Sequence, residues 1–179
     1  MIFDPTSIPG VVVVRPERHD DERGFFARLW CTDEFAAHGL DPRLVQTSVS
    51  WNRRRGTLRG MHYQVAPFEE AKLVSCVRGA VHDVVVDLRS DSPTLRRSLG
   101  LRLDAERLEM LYVPPGLAHG FLTLEDDTLV HYQMSQRHSP EHARGVRWDD
   151  PALGIRWPED PVVISERDRC FPLLDTHRS

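Results

Sequence analysis

The chain has 179 residues, 40% of them hydrophobic and 28% charged, with a formal net charge of −4. This length suits one well-buried domain, predicted over residues 1–179, and the acidic balance argues against a nucleic-acid partner. No apolar run is long enough to span a membrane, no signal peptide is recognisable, and three scattered cysteines suggest neither disulfides nor zinc, so we expect a cytoplasmic protein.

Short runs of valine, leucine and aromatic residues between turn signals predict antiparallel β-strands. The sequence Arg78-Gly79-Ala80 predicts a tight hairpin between two of them. The result is an all-β fold, a double-stranded jelly roll whose interior can hold a small molecule. The predicted strands are 10–14, 25–31, 44–51, 56–64, 71–78, 80–88, 97–103, 110–113, 120–124 and 128–134.

Two short helices are also predicted. Thr32 is expected to cap a helix over 33–38 that ends at Gly39, and Asp104 is expected to cap a single turn over 105–108. No glycine-rich loop lies between a strand and a helix, so a dinucleotide cofactor or an NTPase activity has no support.

The segments Gly56…His62 and Pro114…His119 have the spacing of the two cupin motifs. A metal-binding cupin needs a second histidine two residues after the first, because alternate strand residues share a face. Gln64 occupies that position, and an amide is a poor ligand for a transition metal. The sequence therefore predicts no metal and leaves His62 available as a general base.

Three residues on predicted strands suggest proton chemistry. His62 is a candidate base, although a lone histidine is more often a core residue with satisfied hydrogen bonds. Lys72 is the only lysine, and a compact ammonium can stabilise an enolate, although it can also be a chance survivor of arginine-rich composition. Tyr132 can donate a proton from the face opposite the base, although most strand tyrosines only pack.

A series of motifs, in order over about residues 21–168, resembles the dTDP-4-dehydrorhamnose 3,5-epimerases. This resemblance implies a cupin jelly roll, a homodimer built by exchange of strands, and no metal or organic cofactor. It also implies a nucleotide-diphosphate 4-keto-6-deoxyhexose substrate, with dTDP as the default nucleotide. The motifs are Asp21-Glu22-Arg23-Gly24-Phe25-Phe26, Leu58-Arg59-Gly60-Met61-His62-Tyr63-Gln64, Ala71-Lys72-Leu73-Val74, residues 81–89, Ser92-Pro93-Thr94, Gly116-Leu117-Ala118-His119-Gly120-Phe121, Arg147-Trp148-Asp149-Asp150-Pro151 and Ile164-Ser165-Glu166-Arg167-Asp168.

The resemblance implies a role for each site residue. His62 is expected to be the base, Asp168 to orient it, Lys72 to stabilise the enolate at the C4 oxygen, and Tyr132 to be the acid. The expected substrate-binding residues are Arg23, Phe26, Gln46, Ser48, Arg59, His119, His138 and Arg167.

Four positions depart from the family pattern. Arg28, Ser48, His138 and Ala143 stand where the family usually has glutamate, asparagine, tyrosine and glutamate. We associate these positions with holding the nucleotide and sugar, so the chemistry is expected to be intact while the nucleotide end is altered. Epimerisation at C3, at C5 or at both carbons stays open.

Arg59 and His62 pose a geometric question. They are three residues apart, so an ideal strand would direct their side chains to opposite faces, whereas a bulge at Gly60 would bring them to the same face.

Three alternatives to an epimerase remain at this stage. A related cupin 3,4-ketoisomerase would use the same enolising base, a non-catalytic sugar-nucleotide-binding cupin would need only the arginines, and a metal-dependent dioxygenase would need a metal despite Gln64.

Overall fold

The fold is a sandwich of two large β-sheets in a computed structural model that describes residues 1–174. The first sheet has the spatial order β1 (Ile2–Pro5), β2 (Val12–Arg15), β10 (Met110–Val113), β7 (Lys72–Arg78), β12 (Thr128–Met134) and β5 (Gln46–Asn52). The second has the order β13 (Ala143–Gly145), β6 (Thr57–Gln64), β11 (Leu117–Thr123), β8 (Ala80–Asp87) and β9 (Ser98–Asp104), and β14 (Val163–Ile164) pairs with β6. A separate two-stranded sheet joins β3 (Arg18–Asp21) and β4 (Gly24–Ala27), and the helices are α1 (Thr32–Ala37) and α2 (Glu166–Arg169).

Apolar side chains that alternate along the strands fill the space between the two large sheets. Val74 and Val130 of the first sheet pack with Val85 and Phe121 of the second in one buried cluster. A second cluster around Phe35 of α1 covers the outer face of the first sheet, and a third around Met61 covers that of the second. Burial on both faces explains why most of these strands carry nearly continuous apolar runs.

One end of the sandwich is polar. In the ladder, Met134 of β12 lies opposite Lys72 of β7 and Gln46 of β5, and Tyr132 lies opposite Ser48. The starts of β5 and β7 and the end of β12 therefore meet at the same end of the first sheet. This end holds the candidate site.

A bulge in β6 answers the question of how Arg59 and His62 are placed. His62 pairs with His119 and Arg59 pairs with Phe121, so three steps along β6 match two steps along β11. The extra residue turns Arg59 and His62 to the same face. Gly60 permits this: its φ is +137°, and a Cβ there would lie 2.6 Å from the Gly120 Cα.

The predicted strands are all present, most of them with shifted ends, but three local predictions were wrong. Strands β7 and β8 turn sharply at Gly79 yet join different sheets, so the segment is a crossover and not a hairpin. The N-cap of α1 is Cys31, without a side-chain cap bond, and not Thr32. The segment 105–108 is a turn and not a helix, although the Asp104 carboxylate does accept a bond from the Arg107 N–H.

Candidate active site

The polar end of the sandwich contains a cavity of about 210 Å³. His62, Lys72 and Tyr132 all line it, each from a different strand. They are brought together because β6 of one sheet faces β7 and β12 of the other. A volume of this size can admit the reacting part of a small ligand.

His62 is oriented by a carboxylate. Its Nε2 lies 2.8 Å from Asp168 Oδ1, while Nδ1 makes no hydrogen bond to any residue between 1 and 174. Because an ionised carboxylate only accepts hydrogen bonds, Nε2 carries the proton and Nδ1 holds the lone pair. The cavity-lining imidazole thus has an unprotonated nitrogen suited to removing a proton.

Asp168 is buried and held by several donors. Burial opposes its charge, but the hydrogen bonds from His62, the Gly60 N–H and Ser165 outweigh that cost and hold the pKa of Asp168 below its ordinary value. Ser165 also caps α2, because its Oγ accepts a hydrogen bond from the Asp168 N–H. The short helix therefore fixes the carboxylate beside the bulge of β6.

Lys72 lies in a nearly closed polar pocket. Its Nζ is 3.1 Å from Glu70 Oε1 and 3.4 Å from the His62 carbonyl oxygen, and 12% of its side chain is exposed. The second carboxylate oxygen of Glu70 accepts a hydrogen bond from Gln64 Nε2. Glu70 therefore orients the ammonium through a charge-assisted hydrogen bond.

Gln64 has a structural role in place of the metal-ligand position of other cupins. Its amide donates to the carbonyls of Phe68 and Arg137, and its oxygen accepts from the Ser139 N–H at 2.6 Å. All the polar atoms of this buried amide are engaged in fastening two loops to the cavity wall. Within the described part of the chain, no cluster of three metal-ligating side chains occurs.

Tyr132 is a protonated phenol in a partly buried position against the core. Burial strongly raises its pKa; a hydrogen bond with Ser50 and the charge of Arg59 act in the opposite direction, and the charge of Asp83 adds to the increase. The phenol therefore keeps its proton at neutral pH and is available as an acid. Its ring packs edge-on against the ring of His119, whose Nε2 lies 2.8 Å from Asp83 Oδ1.

The predicted substrate-binding residues fall into three groups. Gln46, Ser48, His138 and Arg167 line the same cavity. Arg59 and His119 do not line it: Arg59 donates to Asn52, and the His119 ring packs against Tyr132.

Arg23 and Phe26 lie elsewhere. They belong to the β3–β4 hairpin, where the Arg23 side chain is 85% exposed and pairs with Asp21, and Phe26 is 73% exposed. Within one chain they do not line the cavity.

Sequence reasoning missed several residues of the site. Glu70 carries the ion pair with Lys72, Ser50 hydrogen-bonds to the Tyr132 hydroxyl, and Asn52 hydrogen-bonds to Ser50. A signal existed, since Gln46, Ser48, Ser50 and Asn52 alternate along one strand and so share a face. Tyr63, Met134 and Arg144 also line the cavity.

Comparison with known proteins identifies the family. The family model of dTDP-4-dehydrorhamnose 3,5-epimerase matches residues 5–176. A dTDP-4-dehydrorhamnose 3,5-epimerase of Sinorhizobium fredii is 43% identical over 175 residues, which cover 97% of this chain and 90% of the relative. The chain belongs to the dTDP-4-dehydrorhamnose 3,5-epimerase family. It is an isomerase, and the predicted cupin fold and epimerase activity are confirmed.

Two solved structures give the same picture. The Bacillus anthracis dTDP-4-dehydrorhamnose 3,5-epimerase, with TDP and PPi bound, superimposes with a TM-score of 0.93 at 38% identity and covers 97% of this chain and 99% of its own. ChmJ, a 3'-monoepimerase from Streptomyces bikiniensis in complex with dTDP-quinovose, gives 0.88 at 40% identity and covers 95% and 86%. Solved structures with this fold therefore include an enzyme that is named as a monoepimerase.

Within residues 1–174, no helix has the length and apolar character needed to cross a membrane.

Proposed function

We propose that this epimerase acts on a dTDP-4-keto-6-deoxyhexose in deoxysugar biosynthesis and inverts C3, C5 or both. The observation that carries the proposal is the cavity shared by His62, Lys72 and Tyr132, in which the lone pair of His62 is free and the phenol of Tyr132 is protonated. Base, cation and acid are the three groups that inversion next to a ketone requires.

The first step is proton removal. The 4-keto group acidifies the hydrogens on C3 and C5, and His62 Nδ1 takes one of them while the electron pair moves to the C4 oxygen. The resulting imidazolium is stabilised by Asp168, whose carboxylate lies 2.8 Å from Nε2. The Lys72 ammonium stabilises the enolate oxygen, an interaction that is stronger in the transition state than with the neutral ketone.

The second step is proton return from the other face. Tyr132 gives its hydroxyl proton to the carbanionic carbon, the enolate electrons reform the ketone, and the carbon is inverted. Before the next turnover the phenolate regains a proton from water and the His62 imidazolium releases its proton to water, so no net proton is gained or lost.

The residues that line the cavity support a changed mode of nucleotide binding. Ser48, His138 and Ala143, three of the four departures from the family pattern, line the cavity, while Arg28 is on the surface and pairs with Glu34. The His138 N–H donates to Gln46 Oε1, which fixes this exposed loop against β5. We infer that these positions tune how the nucleotide is held and leave proton transfer unchanged.

Exposed apolar side chains support a homodimer. The outward-facing side of edge strand β5 and the residue before it present Val45, Val49 and Trp51, which are 56%, 63% and 52% exposed. A row of this kind on an unpaired edge is typical of an interface. We propose that a second copy covers it and that the β3–β4 hairpin of each copy brings Arg23 and Phe26 to the other copy's cavity.

Incubation in deuterated water tests the chemistry. With dTDP-4-keto-6-deoxyglucose, NMR should show deuterium at C3, C5 or both together with inversion, and His62→Ala should abolish both signals. Exchange by His62→Ala at the parent rate would show that His62 is not the base. A new ketone carbon without an inverted centre would instead support a ketoisomerase.

Mixing two inactive variants tests the exchanged hairpin. Arg23→Ala and His62→Ala chains, unfolded and refolded together, should regain about one quarter of parent activity, since half of the dimers are mixed and each has one intact site. Each variant refolded alone is the control. No recovery in mixtures shown by native mass spectrometry to contain mixed dimers would mean that Arg23 serves its own chain.

A further inference from the structure

A line of hydrogen bonds runs behind the cavity from Arg59 to Tyr132. Arg59 Nε lies 2.7 Å from Asn52 Oδ1, Asn52 Nδ2 lies 3.4 Å from Ser50 Oγ, and Ser50 Oγ lies 3.3 Å from the Tyr132 hydroxyl. Ser50 is two residues from the position directly opposite Tyr132 in the ladder, so both side chains point to the interior.

The orientation of the Asn52 amide follows from its partners. Arg59 Nε–H is a donor without an acceptor site, so the amide oxygen must face it. The amide nitrogen then faces the carbonyl oxygens of Ser50 and Thr128, each 3.2 Å away, and both of these only accept. Asn52 is buried, and both ends of its amide are engaged.

This orientation determines what the Ser50 hydroxyl can do. The two Asn52 N–H groups have three acceptors within reach, so Ser50 Oγ, at 3.4 Å, accepts a shared N–H, and its own proton is free for Tyr132. The Tyr132 hydroxyl has one proton, and during reaction that proton points to the sugar carbon. At that moment the contact between the two hydroxyls can only be a donation from Ser50 to Tyr132.

We propose that Ser50 is a positioning residue for the acid: its hydroxyl, oriented by Asn52, donates to Tyr132 and stabilises the phenolate formed when Tyr132 protonates the carbon. This proposal rests on the function proposed above. The proton lost from Tyr132 forms the new C–H bond with the electron pair of the enolate. The Ser50 O–H then donates a hydrogen bond to the negatively charged phenolate oxygen. Water then restores the phenol.

The charge on the phenolate explains why one hydroxyl matters. The Tyr132 side chain is only partly buried, but it packs against the apolar core at the cavity wall, so a phenolate there has fewer waters to stabilise it than one on the surface. A hydrogen bond to a charged group contributes about ten- to hundredfold in an equilibrium or a rate, several times more than a bond between neutral groups. Asn52 also joins this acid to Arg59, a predicted ligand of the substrate.

The test separates proton removal from inversion. In deuterated water the exchangeable protons of His62 and Tyr132 are replaced by deuterium. If His62 returns a deuteron to the enolate, the product is exchanged but uninverted substrate. If Tyr132 delivers the deuteron, the product is inverted. Ser50→Ala should slow inversion by about tenfold or more while exchange into recovered substrate continues. Ser50→Thr, which keeps the hydroxyl, should restore the parent ratio.

Ser98→Ala on β9, which does not line the cavity, is the matched control and should leave both rates unchanged. Ser50→Ala with the parent ratio of exchange to inversion would overturn the proposal, and so would an equal fall in both rates, which indicates a merely structural role. A parent enzyme with neither exchange nor inversion would instead overturn the proposed function itself.

Discussion

Asp168→Asn should disable the base although it preserves the shape of the side chain. In the parent, one carboxylate oxygen lies 3.1 Å from the Gly60 N–H and the other lies 2.8 Å from His62 Nε2. The Gly60 N–H can only donate, so an asparagine must turn its oxygen to Gly60 and its NH₂ group to His62. His62 Nε2 then has to accept, and the ring proton moves to Nδ1.

This change of tautomer places a proton where the lone pair is needed. A neutral imidazole with Nδ1 protonated cannot remove a proton from the sugar, and the negative charge that stabilised the imidazolium is also lost. Positioned general bases contribute about 10²- to 10⁴-fold, so we expect a loss of that size in the rate of proton removal. Asp168→Ala leaves the ring free to adopt either tautomer, so its loss should be no larger than that of Asp168→Asn.

The assay is the initial rate of deuterium exchange at C3 and C5, measured with saturating substrate for the parent and both variants. Thermal melting of each variant is the control, because Asp168 also holds the bulge through Gly60. Asp168→Asn with a rate within about tenfold of the parent would refute the tautomer argument, since loss of a general base costs more than this.

Three further substitutions test other parts of the account. Asp87→Asn should destabilise the fold by about 3 kcal/mol, because it removes the buried partner of Arg89; an unchanged urea midpoint would contradict this. Gly60→Ala should lower the melting temperature and the activity together, because its Cβ meets the Gly120 backbone; a parent-like variant would mean that the bulge is not required. Lys72→Arg should reduce kcat by about 10²-fold or more with little change in melting temperature, since a planar guanidinium cannot take the place of the ammonium; near-parent kcat would contradict the enolate role.

The pH dependence of Asp87→Asn follows from its hydrogen bonds. Burial alone would raise the pKa of Asp87, but bonds from Arg89, Ser92 and Thr94 hold it well below its ordinary value. The unfolded chain takes up a proton near pH 4 and the folded chain does not, so this contribution is present above about pH 4 and is lost as the pH falls below it. The parent should therefore lose stability more steeply than the variant between about pH 4 and pH 2.

The sandwich was predictable because most of its strands are buried on both faces. Apolar runs between turn residues mark them plainly, and β10 and β12 begin and end where predicted. The four strands that were missed lack this signal: β3 is Arg-His-Asp-Asp and fully exposed, and β1, β13 and β14 have only four, three and two residues. At Gly79 the local signal identified a sharp turn but not the sheet that the next strand joins.

The site was predictable only in part from the residues themselves. His62, Lys72 and Tyr132 were suggestive one by one, but their meeting in a cavity depends on the facing of two sheets, which no local pattern specifies. Glu70 and Ser50 were missed because an acidic loop residue and a polar strand residue are more often solvent-facing.

The most direct test of the central claim uses Tyr132→Phe in deuterated water. If His62 and Tyr132 act on opposite faces of one sugar, this variant should exchange deuterium into recovered substrate at close to the parent rate and form almost no inverted product. Inversion at the parent rate without the phenol would contradict the account.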